Sequence, residues 1–182
     1  MKKIIIFFLI TLLPAHASTS NKEKIIKNLK NTNNITFNFE QNINGEIENG
    51  ACVIQYPKKI YCKYDLKNQK ILVSNGKLLV IKTLSSYYLY PLDKTKLNFI
   101  LDKNFLLKKI SVLPERIIDD KFINFQFLEG ENEVNIFFDK KNYQLIGWQT
   151  EDVYQNLNIT YLSSIKKNTK LKTNLFKLPE QN

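Results

Sequence analysis

The side chains in this 182-residue chain with the most scope for bond-making chemistry are two cysteines, one histidine and two pairs of adjacent carboxylates. Cys–His and Ser–His–Asp catalysis both need an imidazole to take up a proton. The one histidine, His16, sits between Ala15 and Ala17 directly behind an apolar run, in what reads as a leader to be removed. Zinc sites draw on histidine or on more than two cysteines, so neither a metal site nor a cofactor is expected. Asp119-Asp120 and Glu151-Asp152 read as turn residues. Neighbours on a strand point to opposite faces, so neither pair converges on one bond as a glycosidase requires. These residues supply no catalytic group, and the expectation is a protein that is not an enzyme.

Cys52 and Cys62 remain. They are symmetric about Pro57 and share parity on the two arms of an apparent hairpin. In a directly opposed, non-hydrogen-bonded pair, a Cα separation of about 4.5 Å permits a disulfide. A turn shifted by one residue leaves two buried thiols instead. Export to an oxidising compartment favours the bridge. Without an imidazole neither sulfur is a catalytic thiol.

The case for export rests on residues 1–17. Lys2 and Lys3 precede an apolar run over residues 4–13, broken at Thr11, and Ala15-His16-Ala17 supplies a small-x-small cleavage pattern. This is the order of a secretory signal. The run is shorter than the roughly 20 residues of a spanning helix, and no cysteine follows it to take a lipid. The expected mature chain is residues 18–182, one domain in the periplasm. Loss of Lys2 and Lys3 lowers the formal charge from +10 to +8. The remaining lysines are scattered and Arg116 is the only arginine, a poor match to nucleic-acid readers, which favour arginine forks. No nucleic-acid partner is expected.

The elements that must position any site are mostly strands. Ser20 and Glu23 fit a capping box, with Ile25, Ile26 and Leu29 at helical spacing behind it, so a short helix is expected over residues 21–31. From Ile35 the period changes to two, as in a half-buried strand. Strands are expected over 35–39, 45–56, 60–66, 70–74, 77–83 and 86–92, with Asn75-Gly76 as a two-residue hairpin loop. Leu97, Ile100 and Leu101 break the alternation and predict a short helix within 95–103. Strands are again expected over 106–113, 116–119, 122–128, 133–139, 144–150 and 156–162, with a last one near Leu175-Phe176. A long antiparallel meander of this size curls into a barrel or part-barrel. With 12 Phe and 9 Tyr it has wide apolar surfaces, which can either fill a core or line a ligand cavity. Alternation alone does not separate the two.

A family resemblance bears on that choice. Phe37-Asn38-Phe39-Glu40-Gln41 resembles the early "F-x-Q" strand of the LolA family of periplasmic lipoprotein carriers. The stretch from Tyr56 through Pro57 and Cys62 to Tyr64 resembles its "R-P-G-x-[FL]-x-[WF]-x-Y" hairpin. Ile71-Leu72-Val73-Ser74-Asn75-Gly76-Lys77 is similar to its "I-V-S-D-G-K", and residues 90–101 resemble "Y-P-L-x-x-T-P-L-x-x-L-L". Leu145-Ile146-Gly147-Trp148 resembles "L-x-x-W", and Leu175-Phe176 the terminal "x-F-x-x-P". The matches keep their order over essentially the whole of residues 18–182.

The resemblance implies a mainly β fold with short helices, an open antiparallel half-barrel of about eleven strands under a helical lid. It implies a monomeric LolA-like chaperone without a cofactor. Such a carrier takes the acyl chains of lipoproteins from an inner-membrane ABC exporter and passes them to an outer-membrane receptor. On that reading Ile35, Phe37, Phe39, Cys52, Ile54, Tyr56, Ile60, Cys62 and Tyr64 are expected to form the lipid-binding cavity, and Ile25, Leu29, Leu97, Ile100 and Leu101 the lid. The chain departs from the pattern at three places. Tyr56 replaces an arginine that in the family helps hold the lid shut, Cys62 replaces an aromatic residue, and Lys96 replaces the proline of "T-P-L". The other readings are a different lipid-binding module of the same fold, an envelope-stress sensor or scaffold, and an exported hydrolase.

Overall fold

The computed structural model describes residues 19–130, 132–151 and 156–181. The expected leader and the cleavage point before Ser18 lie outside the described residues, as does Asp152.

Helix α1 (Asn21–Lys30) starts at the expected capping box. The Glu23 amide donates to Ser20 Oγ at 3.2 Å, and the Ser20 amide donates to Glu23 Oε2 at 2.9 Å. Lys27 and Lys30 lie in the last turn, where the helix dipole favours cations. Eleven strands follow: β1 (Asn34–Ile43), β2 (Glu46–Gln55), β3 (Lys59–Tyr64), β4 (Ile71–Asn75), β5 (Leu78–Lys82), β6 (Tyr87–Pro91), β7 (Arg116–Ile118), β8 (Phe122–Glu129), β9 (Asn132–Asp139), β10 (Leu145–Glu151) and β11 (Leu157–Lys167). Between β6 and β7 come a 3-10 turn, α2 (Leu97–Leu101) and α3 (Lys103–Val112).

All eleven strands form one antiparallel sheet in the order β6-β5-β4-β3-β2-β1-β11-β10-β9-β8-β7. Only the β1–β11 contact joins strands distant in sequence. Two meanders are zipped together there, and β6 and β7 are left as edges, so the sheet does not close. This is the mainly β, open architecture expected above.

Turn chemistry sets the register. β1 and β2 are joined by Asn44-Gly45, with φ of 53° and 92°. Two successive positive φ values make a type I′ loop, which Asn-Gly favours. The strand expected from Gly45 therefore begins one residue later, at Glu46. β4 ends at Asn75 and β5 begins at Leu78, so the loop is Gly76-Lys77, one residue later than expected. Gly76 takes the positive φ of 100°, and the Asn75 side chain accepts from the amides of Lys77 and Leu78, each at 3.0 Å. Gly50 faces a different demand. A Cβ there would sit 2.2 Å from the Lys63 carbonyl oxygen and 2.8 Å from the Phe39 ring. Its bare backbone lets Phe39 and Tyr64 meet edge to face across it, ring centroids 4.9 Å apart.

Two expectations are corrected. Residues 106–113 are not a strand, because residues 103–112 form α3. Asp102 caps this helix by accepting from the Phe105 amide at 3.1 Å, and Leu106 and Ile110, four apart, are buried on its inner face. The apolar run is compatible with either period, and the cap decides for the helix. Leu175-Phe176 is a turn rather than a strand, with the Lys177 amide donating to the Asn174 carbonyl at 3.0 Å. The tail instead crosses the outer face of the sheet. Tyr87 Oη donates to the Pro179 carbonyl at 3.2 Å and Lys82 Nζ to the Glu180 carbonyl at 2.8 Å. Val73 and Val80 are fully buried on that same face.

The helices cover the inner face. Ile25 of α1 and Leu106 and Ile110 of α3 join Ile123, Phe125, Ile136 and Phe138 of β8 and β9 in a core with no more than 1% of any of these side chains exposed. Each such side chain contributes about 1.5–3 kcal/mol of burial free energy.

Candidate functional site

The inner face is filled at one end and hollow at the other. The hollow has a volume of about 290 Å³ and lies between β1–β5, β10, β11 and the short lid helix α2. Phe39, Cys52, Ile60, Cys62 and Tyr64 line it from the first three strands, and Leu97 and Ile100 close it from α2. These seven are among the residues expected at cavity or lid, and the fold brings them together. Ile35, Phe37, Ile54 and Tyr56, and the lid residues Ile25, Leu29 and Leu101, lie instead in the packed core. Ile35, Tyr56 and Leu29 border only a gap of about 20 Å³ under α1. Phe37 packs its ring edge-on against Trp148, centroids 6.5 Å apart.

Sequence reasoning misses Gln41, Leu72, Leu79, Lys96, Trp148, Thr150, Asn158 and Thr160, which complete the lining. Leu72 and Leu79 are within its reach, since inner-face parity carries from Cys62 to Leu72 and from Ser74 to Leu79 through the register. The residues of β10 and β11 are not, because the β1–β11 contact joins strands more than a hundred residues apart.

Cys52 and Cys62 are directly opposed on β2 and β3, their Cα atoms 4.1 Å apart, and are joined by a disulfide. The bridge forms part of the wall. The opposite wall is polar. Gln41 pairs with Thr160 across β1–β11, and Thr150 pairs with Asn158 across β10–β11. Gln41 Nε2 donates to Asn158 Oδ1 at 2.9 Å and to Thr160 Oγ1 at 3.3 Å, while Tyr64 Oη donates to Gln41 Oε1 at 3.4 Å. Burial, with a smaller push from the Glu48 carboxylate, raises the Tyr64 phenol well above its ordinary value, so it stays protonated as a donor.

The lid is tethered at both ends. The Lys58 amide, in the β2–β3 turn, donates to the Leu101 carbonyl at 2.9 Å, and Lys58 Nζ lies 3.1 Å from Asp102 Oδ2. Burial pushes the Asp102 carboxyl up, but the Phe105 amide and Lys58 outweigh it and hold it below its ordinary value. At the other end Lys96 Nζ donates to the Glu151 carbonyl of β10. Lys103 Nζ reaches the Thr32 carbonyl at 3.1 Å and ties α3 to the end of α1. Tyr56, the residue in the arginine's place, adds no hydrogen bond to this latch through its hydroxyl. Its hydroxyl is buried without a hydrogen-bond partner among the described residues, and burial raises its pKa. Its ring lies 5.7 Å from Lys103 Nζ.

No group of three or more His, Cys, Asp or Glu able to hold a metal occurs among the described residues. No described helix is long and apolar enough to cross a membrane. An open antiparallel sheet whose helices cover an apolar hollow defines a ligand-binding class of fold.

Comparison with known families narrows this. The family described as outer membrane lipoprotein carrier protein LolA matches residues 30–179, and the chain belongs to that family. Comparison with curated proteins finds no match. Among solved structures, an uncharacterized conserved protein from Thermus thermophilus superposes with a TM-score of 0.54 at 8% identity, over 89% of this chain and 93% of that one. MucB superposes with a TM-score of 0.51 at 7% identity, over 87% of this chain and 62% of that one. A LolA superfamily protein from Nitrosomonas europaea has a TM-score of 0.45 at 8% identity, over 88% of this chain and 99% of that one. At such identities the likeness is one of fold alone.

Proposed function

We propose that residues 18–182 form a monomeric periplasmic carrier, released from the leader at 1–17. In this reading it covers the acyl chains of lipoproteins released by an inner-membrane ABC exporter and delivers them to an outer-membrane receptor. The observation that carries the reading is the lid-covered hollow on the inner face of the open sheet. Family membership supports it.

The physical task is competition with a membrane. Each buried CH₂ contributes about 0.8 kcal/mol, so one acyl chain leaves a membrane readily while several bind almost irreversibly. A carrier must shield the chains yet hold them less tightly than the acceptor does. A lid that gives up its own contacts to admit cargo lowers the net affinity in this way, because cargo binds only the open state. The hollow of about 290 Å³ is at the small end of ligand pockets, about 300–1,000 Å³. Multiple chains therefore require α2 to swing out, breaking the Lys58 and Lys96 tethers.

A second reading is a module of the same fold that binds another lipid or lipophilic ligand. It is favoured by the Tyr56 hydroxyl, which makes no hydrogen bond to the latch. Native mass spectrometry of the protein from its own periplasm, followed by lipid extraction, distinguishes the two. Co-purifying acylated lipoprotein is expected. A free lipid in its place supports the second reading. A bare protein that also takes up no fluorescent acyl probe would overturn both.

A further inference from the structure

The polar wall of the hollow keeps hydrogen-bonding capacity that its own residues do not use. Thr150 is only 8% exposed and lines the hollow, yet its hydroxyl has no hydrogen-bond partner among the described residues. Thr160, 3% exposed, accepts from Gln41, and its own proton is given to no described residue. Asn158 likewise uses its oxygen toward Gln41, and its amide hydrogens are given to no described residue. The Tyr64–Gln41 chain thus occupies the Asn158 and Thr160 oxygens and leaves their hydrogens free, beside a Thr150 hydroxyl able to donate or accept. These hydrogens border the hollow and are open to an acceptor bound there, and an acyl carbonyl offers acceptors only.

We propose that this wall is a carbonyl subsite, and that the occupant of the closed hollow is a single acyl chain bound with its carbonyl oxygen at Thr150, Asn158 and Thr160. The inference rests on the acyl-binding reading above and names the chemistry it recognises, an acid, ester or amide carbonyl. The chain lies along Ile60, Leu72, Leu79, Leu97 and Ile100. A carboxylic acid and the acyl linkage of a lipoprotein share this chemistry.

The test is displacement of a fluorescent acyl probe from the purified protein by dodecanoic acid, methyl dodecanoate, a singly N-dodecanoylated peptide and dodecane. Thr150→Val is near-isosteric and removes only the hydroxyl; Thr150→Ser restores it. Thr150→Val should weaken the three carbonyl ligands about 5–10-fold and leave dodecane unchanged, and Thr150→Ser should bind like the parent. With carbonyl-labelled dodecanoic acid, the carbon resonance should shift on binding and lose that shift in Thr150→Val. If the free acid outcompetes the acylated peptide, a free fatty acid is the occupant; the reverse order identifies the lipoprotein chain. Equal weakening of all four ligands, or of none, overturns the carbonyl subsite and leaves the carrier reading standing. Failure of every ligand and of the probe itself to bind is the separate failure of the acyl-binding reading.

Discussion

The two ends of the inner face carry the same alternating apolar pattern and reach opposite outcomes. At one end α1 and α3, ten residues each, lay Ile25, Leu106 and Ile110 onto Ile123, Phe125 and Phe138 until the space is full. At the other, α2 is five residues long and sets Leu97 and Ile100 over Ile60, Leu72 and Leu79, leaving the hollow. Helix length explains much of the difference, since five residues make little more than one turn. Side-chain chemistry explains the rest. The far wall of the filled end is phenylalanine and isoleucine, whereas that of the hollow is Gln41, Thr150, Asn158 and Thr160. Alternation decides which face a residue occupies; the covering element decides whether that face becomes core or cavity.

Truncation on each side is the most direct way to break this contrast. Phe125→Ala should cost about 3–5 kcal/mol, because the filled end cannot collapse around the loss. Leu79→Ala, buried to a similar degree but facing existing space, should cost less than the roughly 2–5 kcal/mol typical of a packed leucine. Urea denaturation of both variants measures the difference. Equal losses would mean that the hollow is as tightly supported as the core.

The disulfide sharpens the contrast, since it staples β2 to β3 in the wall of the hollow. It closes a loop of sequence separation 10, and replacing both cysteines by alanine should cost about 2–3 kcal/mol. The same change should alter acyl-probe affinity, which an equivalent loss of stability in the filled end would not do. Probe titration of the double variant well below its unfolding midpoint checks this.

Much of this is legible in the residues. The period-two runs place Phe39, Cys52, Ile60, Cys62 and Tyr64 on one face, and the Ser20–Glu23 capping box fixes the start of α1. What escapes has physical causes. Residues 106–113 are apolar enough for either period, and only the Asp102 cap marks them as helix. Asn44-Gly45 is a strong hairpin signal, but it lies where the strand pattern runs on without a break. The division between Tyr56 in the core and Phe39 in the hollow depends on where α1 and α2 dock, which a strand pattern does not encode. The polar wall is completed only where Gln41 of the first strand meets Thr160 of the last, and no local pattern announces that pairing.

The smallest effect on stability should come from the latch, and it tests whether the hollow end is built to open. The Lys58–Asp102 pair is partly exposed, so Lys58→Met should change stability by only about 0–1 kcal/mol. It should nevertheless speed acyl-probe uptake several-fold in stopped-flow mixing, because the charged link between the β2–β3 turn and the lid is lost. Acid should act on the same contact. The Asp102 carboxyl is held below its ordinary value of 3.8 in the folded protein, so its contribution is fully present above about pH 4 and is lost as pH falls through the lower folded value. A jump from pH 7 to a pH below that folded value should therefore accelerate uptake in the parent protein. Asp102→Asn keeps a side chain able to cap α3 while removing the charge, and it should be fast at both pH values. If acid accelerates Asp102→Asn as much as the parent, the pH response arises elsewhere and the lid is held by the Leu101 carbonyl and Lys96 rather than by this charge pair.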